Sequence, residues 1–198
     1  MGDVDFIVDP SYYVKAIEKL EADGWKKMNV SHDRHISFKI DKVEIELHTE
    51  IKGIPNGADG ISTSSTTAEE KARDLLSDLI FTSRAVETQH GPIIIPDDFH
   101  HGLIMLLHVA GHIINDGGVG LRHLCDWGVY VDHVNVERYR LQLESVGLWT
   151  FACQLTAVCS KYLGLPEMDW VGEQDNIFLE SLIEDVLAAG NFGKKEAG

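Results

Sequence analysis

Short runs of alternating apolar and polar residues dominate the first 48 positions, a pattern typical of β-strands. Residues 4–8 are rich in β-branched and aromatic side chains and predict a buried first strand. Residues 35–40 and 43–48 each alternate cleanly, and the Asp41-Lys42 dipeptide separates them. These two runs predict an antiparallel hairpin.

A helix is predicted between the first strand and the hairpin, because apolar residues there recur at helical spacing. Asp9-Pro10 is a helix-start signal, and Gly24 is a typical stop. Residues 25–30 predict another strand. The first part of the chain is therefore expected to be mixed α/β.

Helical periodicity replaces alternation in the second half of the chain. A segment rich in Gly, Ser and Thr at residues 49–66 predicts a loop, and a capping box then predicts a helix to about residue 83. Residues 85–95 are interpreted as an extended link. Further helices are predicted at residues 98–115, 120–131, 136–146, 149–163 and 176–189. The predicted fold is α+β, with a small mixed or antiparallel sheet and helices in domain 1–95 and an all-helical bundle in domain 96–198.

The charge balance is strongly acidic, with 32 acidic against 17 basic residues and a formal net charge of −15. This field repels a phosphate backbone, so a nucleic-acid partner is not expected. A small anionic substrate fits only if metal ions neutralise it locally. The sequence shows no signal peptide and no apolar run long enough to span a bilayer, so we expect a cytoplasmic protein without membrane contact.

The three cysteines, Cys125, Cys153 and Cys159, lack Cys-x-x-Cys spacing. All three fall in apolar, helix-like stretches. Buried free thiols are therefore predicted at these positions.

Acidic residues mark the first and last predicted strands. Asp3 and Asp5 are two residues apart, so both carboxylates project from one face of a strand. Carboxylate pairs of this kind suit Mg²⁺. Glu46 and His48 share one face of the last strand. This face is either simply solvated, or it supplies a third metal ligand beside Asp3 and Asp5.

Four ordered motifs resemble the nucleotidyltransferase superfamily and, within it, an uncharacterised bacterial nucleotidyltransferase-like family. They are GDVDFIV at residues 2–8, VEIELH at 43–48, LHVAGH at 107–112 and LRHLCD at 121–126. The resemblance covers roughly residues 2–132.

This resemblance implies a two-metal site in which Asp3, Asp5 and Glu46 hold two Mg²⁺ ions, with Mn²⁺ as a substitute. The implied reaction transfers a nucleoside monophosphate from a nucleoside triphosphate, with ATP favoured, to a hydroxyl of a small molecule or protein.

One feature of the superfamily is missing from the sequence. The superfamily places a Gly-Gly or Gly-Ser turn before the paired aspartates to hold the triphosphate, whereas only Met1 and Gly2 precede Asp3 here. The expectation is either an N-terminally truncated chain or loss of this element. The alternative function is therefore a catalytically inactive module that binds a nucleotide or a partner.

Two histidines, His108 and His112, are spaced four residues apart on one predicted helix. Val109 stands where a zinc protease of the His-Glu-x-x-His type carries its glutamate. Core or interface histidines are one interpretation of this pair. A weaker alternative function is a metal phosphohydrolase built from these two residues together with Asp116, His123 and Asp126.

The remaining candidate substrate contacts are polar residues near these motifs. Arg122 and Asp126 are four residues apart and predict either a surface ion pair or a phosphate contact. Lys39 is a cation on the hairpin, close in sequence to the acidic residues. The candidate substrate-binding residues are Lys39, His48, His108, His112, Arg122 and Asp126.

Overall fold

A computed structural model describes residues 4–32, 35–49, 66–113 and 118–190, with side chains undescribed at 29–32, 35 and 66–69. The chain divides into two compact units, residues 1–52 and 53–198. The first unit contains a mixed sheet and the second is mainly helical, which confirms the α+β prediction. The domain boundary expected after residue 95 stays a prediction.

A four-stranded sheet forms the first unit and has the order β1-β4-β3-β2. Strand β1 runs parallel to β4, and the other neighbours are antiparallel. The predicted hairpin is confirmed, and Asp41 takes a positive φ of 52° in its two-residue turn, a conformation that Asp tolerates. The strands are β1 (Val4–Ile7), β2 (Lys26–His32), β3 (His35–Ile40) and β4 (Val43–His48).

Helix α1 (Tyr13–Ala22) covers the apolar face of this sheet. The side chain of Asp9 accepts a hydrogen bond from the Ser11 N–H at 2.8 Å and begins the 3-10 turn that leads into the helix. Buried sheet residues pack against the helix: Phe38, Ile45 and Leu47 on the sheet, and Tyr13, Ala16, Ile17 and Leu20 on α1. The opposite face of the sheet is therefore free to carry polar residues.

Strand β1 lies at the edge of the sheet. Its apolar side chains remain half exposed, at 47% for Val4 and 49% for Phe6. The prediction of a buried first strand is therefore wrong. Among the described residues β1 pairs with β4 alone, so the carboxylate that it carries is open to solvent.

For residues 66–95 of the second unit, the sequence-based prediction was only partly correct. The helix predicted to reach about residue 83 is interrupted at Ser77 and Asp78, which separate α2 (Thr66–Leu76) from α3 (Leu79–Thr82). The segment predicted as an extended link is extended, but it is not a simple link. Its two halves, β5 (Arg84–Thr88) and β6 (Gly91–Ile95), pair as an antiparallel hairpin.

Among the described residues, five further helices supply most of the main core, to which α2 adds the buried Ala72. Within this core, the Nε1–H of Trp127 donates to the Thr156 hydroxyl at 3.0 Å. This hydrogen bond connects the helix at residues 121–133 with the helix at residues 149–163. In the described part of the chain, no helix is both long enough and apolar enough to cross a membrane. The five helices are α4 (Asp98–Gly111), α5 (Leu121–His133), α6 (Arg140–Ser145), α7 (Trp149–Leu163) and α8 (Asn176–Ala189).

Replacing either of two helical glycines with alanine should change stability, in opposite directions at the two positions. A Cβ added to Gly102 on α4 would lie 2.3 Å from the hydroxyl of Tyr130, a side chain fixed by its 2.6 Å hydrogen bond to the Asp98 carbonyl. A Cβ added to Gly128 on α5 would meet Cys159 Sγ at an ordinary 3.7 Å. Gly102→Ala should therefore lower the free energy of unfolding by about 1–3 kcal/mol, through overpacking.

Gly128→Ala is the matched control, because it is the same substitution in a neighbouring helix with room for the methyl group. It should raise the free energy of unfolding by about 0.5–1 kcal/mol, since alanine is the better helix former. Urea unfolding followed by circular dichroism measures both changes. Equal shifts in the two variants would contradict the close contact between Gly102 and Tyr130.

The cysteines differ in exposure, which corrects the prediction that all three are buried. Cys125 is exposed, whereas Cys153 and Cys159 are buried. Burial raises the pKa of the Cys153 thiol to about 11 and that of the Cys159 thiol to about 12, so neither supplies much thiolate near neutral pH.

Iodoacetamide at pH 8 should therefore alkylate Cys125 alone in the folded protein and all three cysteines in urea. Peptide mass spectrometry identifies the labelled positions. Rapid labelling of Cys159 in the folded state would show that the packing of α5 against α7 is looser than described.

Candidate active site

The parallel pairing of β1 with β4 places two acidic residues side by side. Asp5 lies opposite Glu46 in the strand register, and residues paired in this way project from the same face. On the other side of β4, Ser37 of β3 lies opposite Glu46, and Lys39 lies opposite Glu44. Lys26 of β2 in turn lies opposite Lys39, so the polar face of the sheet carries the acidic pair together with Glu44 and two lysines.

His48 closes a compact cluster with these carboxylates. Its Nε2–H donates to Asp5 Oδ1 at 3.0 Å and lies 3.3 Å from Glu46 Oε2. One ligand atom from each of the three residues lies within 4.8 Å of the other two. The Asp5 side chain is 62% exposed, whereas Glu46 and His48 are 21% and 19% exposed. The two cluster residues on β4 are therefore mostly shielded from solvent, whereas Asp5 on β1 is accessible to it.

The charge state of the cluster follows from these contacts. The hydrogen bond to Asp5, reinforced by the negative charges of Asp5 and Glu46, raises the pKa of His48 above its ordinary value, although partial burial opposes the shift. The raised pKa favours the imidazolium form of His48, whose positive charge offsets part of the negative charge of the two carboxylates.

The donor set fits a hard divalent cation. An octahedral ion with metal–oxygen distances of about 2.05 Å has neighbouring ligand atoms roughly 2.9 Å apart and opposite ones roughly 4.1 Å apart. A ligand atom of Asp5 lies within 4.8 Å of a ligand atom of Glu46, an upper bound that includes both of these values. Carboxylates suit both Mg²⁺ and Mn²⁺, so Asp5 and Glu46 are compatible with either ion.

The structure describes the placement of only some of the residues in the sequence-predicted site. It brings Asp5, Glu46 and His48 together on one face, and alternation along β3 puts Lys39 on that face as well. Asp3, the other half of the predicted carboxylate pair, lies outside the described residues. Its role as a ligand stays a prediction.

A second polar cluster lies in the helical unit, at the end of α4 and the beginning of α5. The Nε2 atoms of His108 and His112 are 3.1 Å apart. The His123 ring lies beside both, with ring centroids 5.4 Å and 5.2 Å away. Burial first, and then the neighbouring His112, lower the pKa of His123.

Arg122 and Asp126 form an exposed pair on α5, with 3.7 Å between Arg122 Nε and Asp126 Oδ2. This is the surface ion pair that their spacing indicated. Exposed pairs of this kind contribute about 0–1 kcal/mol, so the contact leaves both side chains available to solvent and ligands.

Sequence reasoning placed His123 only in the weaker phosphohydrolase alternative and omitted it from the candidate site residues. The available signal was a third histidine shortly after the His108 and His112 pair, just beyond a predicted turn. A further residue of that alternative, Asp116, lies outside the described residues.

Comparison with known proteins identifies a family. The family model described as an uncharacterised nucleotidyltransferase matches residues 1–164. The matched region includes the strands that carry Asp5 and Glu46 and the helices that carry the three histidines. Neither the curated proteins nor the solved structures give a significant match.

Proposed function

The chain belongs to the uncharacterised nucleotidyltransferase family, and on that premise we propose that it is a metal-dependent nucleotidyltransferase. It transfers a nucleoside monophosphate from a nucleoside triphosphate, ATP being favoured, to a hydroxyl group of a small molecule or protein. The proposed metal ligands are Asp3, Asp5 and Glu46.

The observation that supports this proposal best is the pairing of Asp5 with Glu46 across two parallel strands. Residues 41 positions apart in sequence meet with carboxylates on one face, and their ligand atoms lie within 4.8 Å of each other. Placing two carboxylates next to each other costs free energy unless a cation compensates them. A shared metal ion would offset this cost, and a metal-binding role therefore explains why both carboxylates lie on one face.

The bound ions would neutralise the triphosphate, lower the pKa of the acceptor hydroxyl and stabilise the departing pyrophosphate. The acceptor oxygen forms a bond to the α-phosphorus, and the bond between that phosphorus and the α–β bridging oxygen breaks. Pyrophosphate leaves, and the acceptor proton passes to solvent. Asp5 and Glu46 contribute by fixing the place where this charge develops.

His48 and Lys39 have supporting roles in this proposal. The 3.0 Å hydrogen bond from His48 helps to orient the Asp5 carboxylate on the exposed edge strand. Lys39 places a positive charge on the same face, where it can attract the triphosphate to a protein with a net charge of −15. Neither residue transfers a proton in the reaction.

Isothermal titration with ATP, GTP, CTP and UTP, each in Mg²⁺ or Mn²⁺, tests nucleotide binding. Release of pyrophosphate in the presence of sugar, nucleoside and protein acceptors tests transfer. We expect binding of at least one nucleotide only when a divalent ion is present. Binding without pyrophosphate release would favour the inactive nucleotide-binding module, and absence of binding to every nucleotide would contradict the proposal.

A further inference from the structure

We propose that His108, His112 and His123 form a second metal site, selective for Zn²⁺ and similar transition-metal ions. No residue of this tri-histidine cluster belongs to the proposed transferase site, and the inference does not depend on nucleotidyl transfer. The ion would keep one coordination position open for water or an anionic oxygen.

The spacing of the nitrogen atoms carries the inference. Four-coordinate zinc binds imidazole nitrogens at about 2.0–2.1 Å, which places two of them about 3.3 Å apart. The Nε2 atoms of His108 and His112 are 3.1 Å apart, close to this value. A ligand atom of His123 lies within 4.8 Å of a ligand atom of each of the other two histidines.

The ends of two helices hold the three rings in place. His108 and His112 lie one turn apart at the end of α4, so their side chains emerge from the same side of the helix. His123 lies in the first turn of α5, where its Nδ1 accepts the backbone N–H of Gly120 at 3.1 Å. This hydrogen bond keeps the third ring beside the other two, and binding of an ion through His123 would exchange it for a metal bond.

The donor type sets the selectivity. Among the residues that the structure describes, this cluster consists of three imidazoles without a carboxylate, and imidazole prefers zinc, copper and nickel to magnesium. His108 is exposed, and His112 and His123 are partly exposed, so an ion can enter from solvent. Three protein ligands with an open position are typical of reactive rather than purely structural zinc sites.

Zinc titration of the full chain tests the inference. Calorimetry with ZnCl₂, in excess Mg²⁺ to occupy the acidic site, measures affinity for the wild type, His108→Ala and His112→Gln. Each substitution should weaken zinc binding by about tenfold or more. Wild-type protein titrated with CoCl₂ should develop the visible absorption of tetrahedral Co²⁺, and both variants should lose it.

Matched variants separate ligation from folding and from the acidic site. His133→Gln removes an exposed histidine at the other end of α5 and should leave zinc affinity unchanged. His123→Gln keeps an acceptor for the Gly120 N–H while removing the imidazole, so it should fold normally and bind zinc about tenfold more weakly. Circular dichroism confirms folding of each variant.

Two results would overturn the inference. One is a zinc affinity that does not change in any of the three cluster variants. The other is loss of zinc binding in Glu46→Gln together with its retention in His108→Ala and His112→Gln, which would assign the ion to the acidic site.

Discussion

Glu46→Gln is expected to lower nucleotidyl transfer by about a hundredfold or more, because it removes a charged metal ligand from the site where the transferred phosphate would react. Glutamine has nearly the same volume, so the neighbouring core residues Ile45 and Leu47 should remain packed. Pyrophosphate release at saturating nucleotide and metal measures the loss. Asp5→Asn should give a loss of the same order.

Glu18→Gln is the matched control for this loss. Glu18 is an exposed residue of α1, the helix that covers the opposite face of the same sheet. The control removes the same charge from the same unit and should retain full activity. If both glutamine variants lose activity equally, the effect would come from net charge rather than from metal ligation.

His100→Ala is expected to lower the free energy of unfolding by about 2–4 kcal/mol, the largest effect on stability that we predict. The His100 side chain is buried and makes polar contacts from both ring nitrogens. Nδ1 lies 2.9 Å from Asp97 Oδ2, and Nε2 lies 2.9 Å from the Leu75 carbonyl and 3.0 Å from Asp78 Oδ1. Alanine would remove these contacts and create a cavity.

Urea unfolding measures this change, with His133→Ala as the control. His133 is an exposed histidine at the end of α5, and its replacement should change stability by less than about 0.5 kcal/mol. A change in His100→Ala as small as that of the control would show that the contacts among α2, α3 and α4 contribute little to stability.

Local patterns were sufficient for much of the fold. The strict alternation of residues 35–40 and 43–48 predicted the hairpin, and helical periodicity gave the bounds of α7 and α8 as the structure has them. The hairpin of β5 and β6 was interpreted as a link because its turn, Gln89-His90, lacks the Asn-Gly or Asp-Gly signal. Edge position and solvent exposure, as for Val4 and Cys125, depend on tertiary neighbours that local pattern does not contain.

For the candidate sites too, the sequence predicted local relations between residues but not contacts between distant segments. Alternation predicted that Glu46 and His48 share a strand face, and the structure adds the parallel register that brings Asp5 to them. Contacts between distant segments had no local signal. The His100 contacts with Leu75 and Asp78 and the approach of His123 to the other two histidines both depend on helix packing.

Direct measurement of Mn²⁺ binding tests the central claim, that the sheet of the first unit holds a catalytic divalent ion. The electron paramagnetic resonance signal of free Mn²⁺ falls as the ion binds protein, and it can be followed in wild type, Glu46→Gln and Glu18→Gln. We predict that wild type and Glu18→Gln bind Mn²⁺ equally and more tightly when nucleotide is added, whereas Glu46→Gln binds at least about tenfold more weakly. Equal Mn²⁺ affinity in all three proteins would contradict the claim.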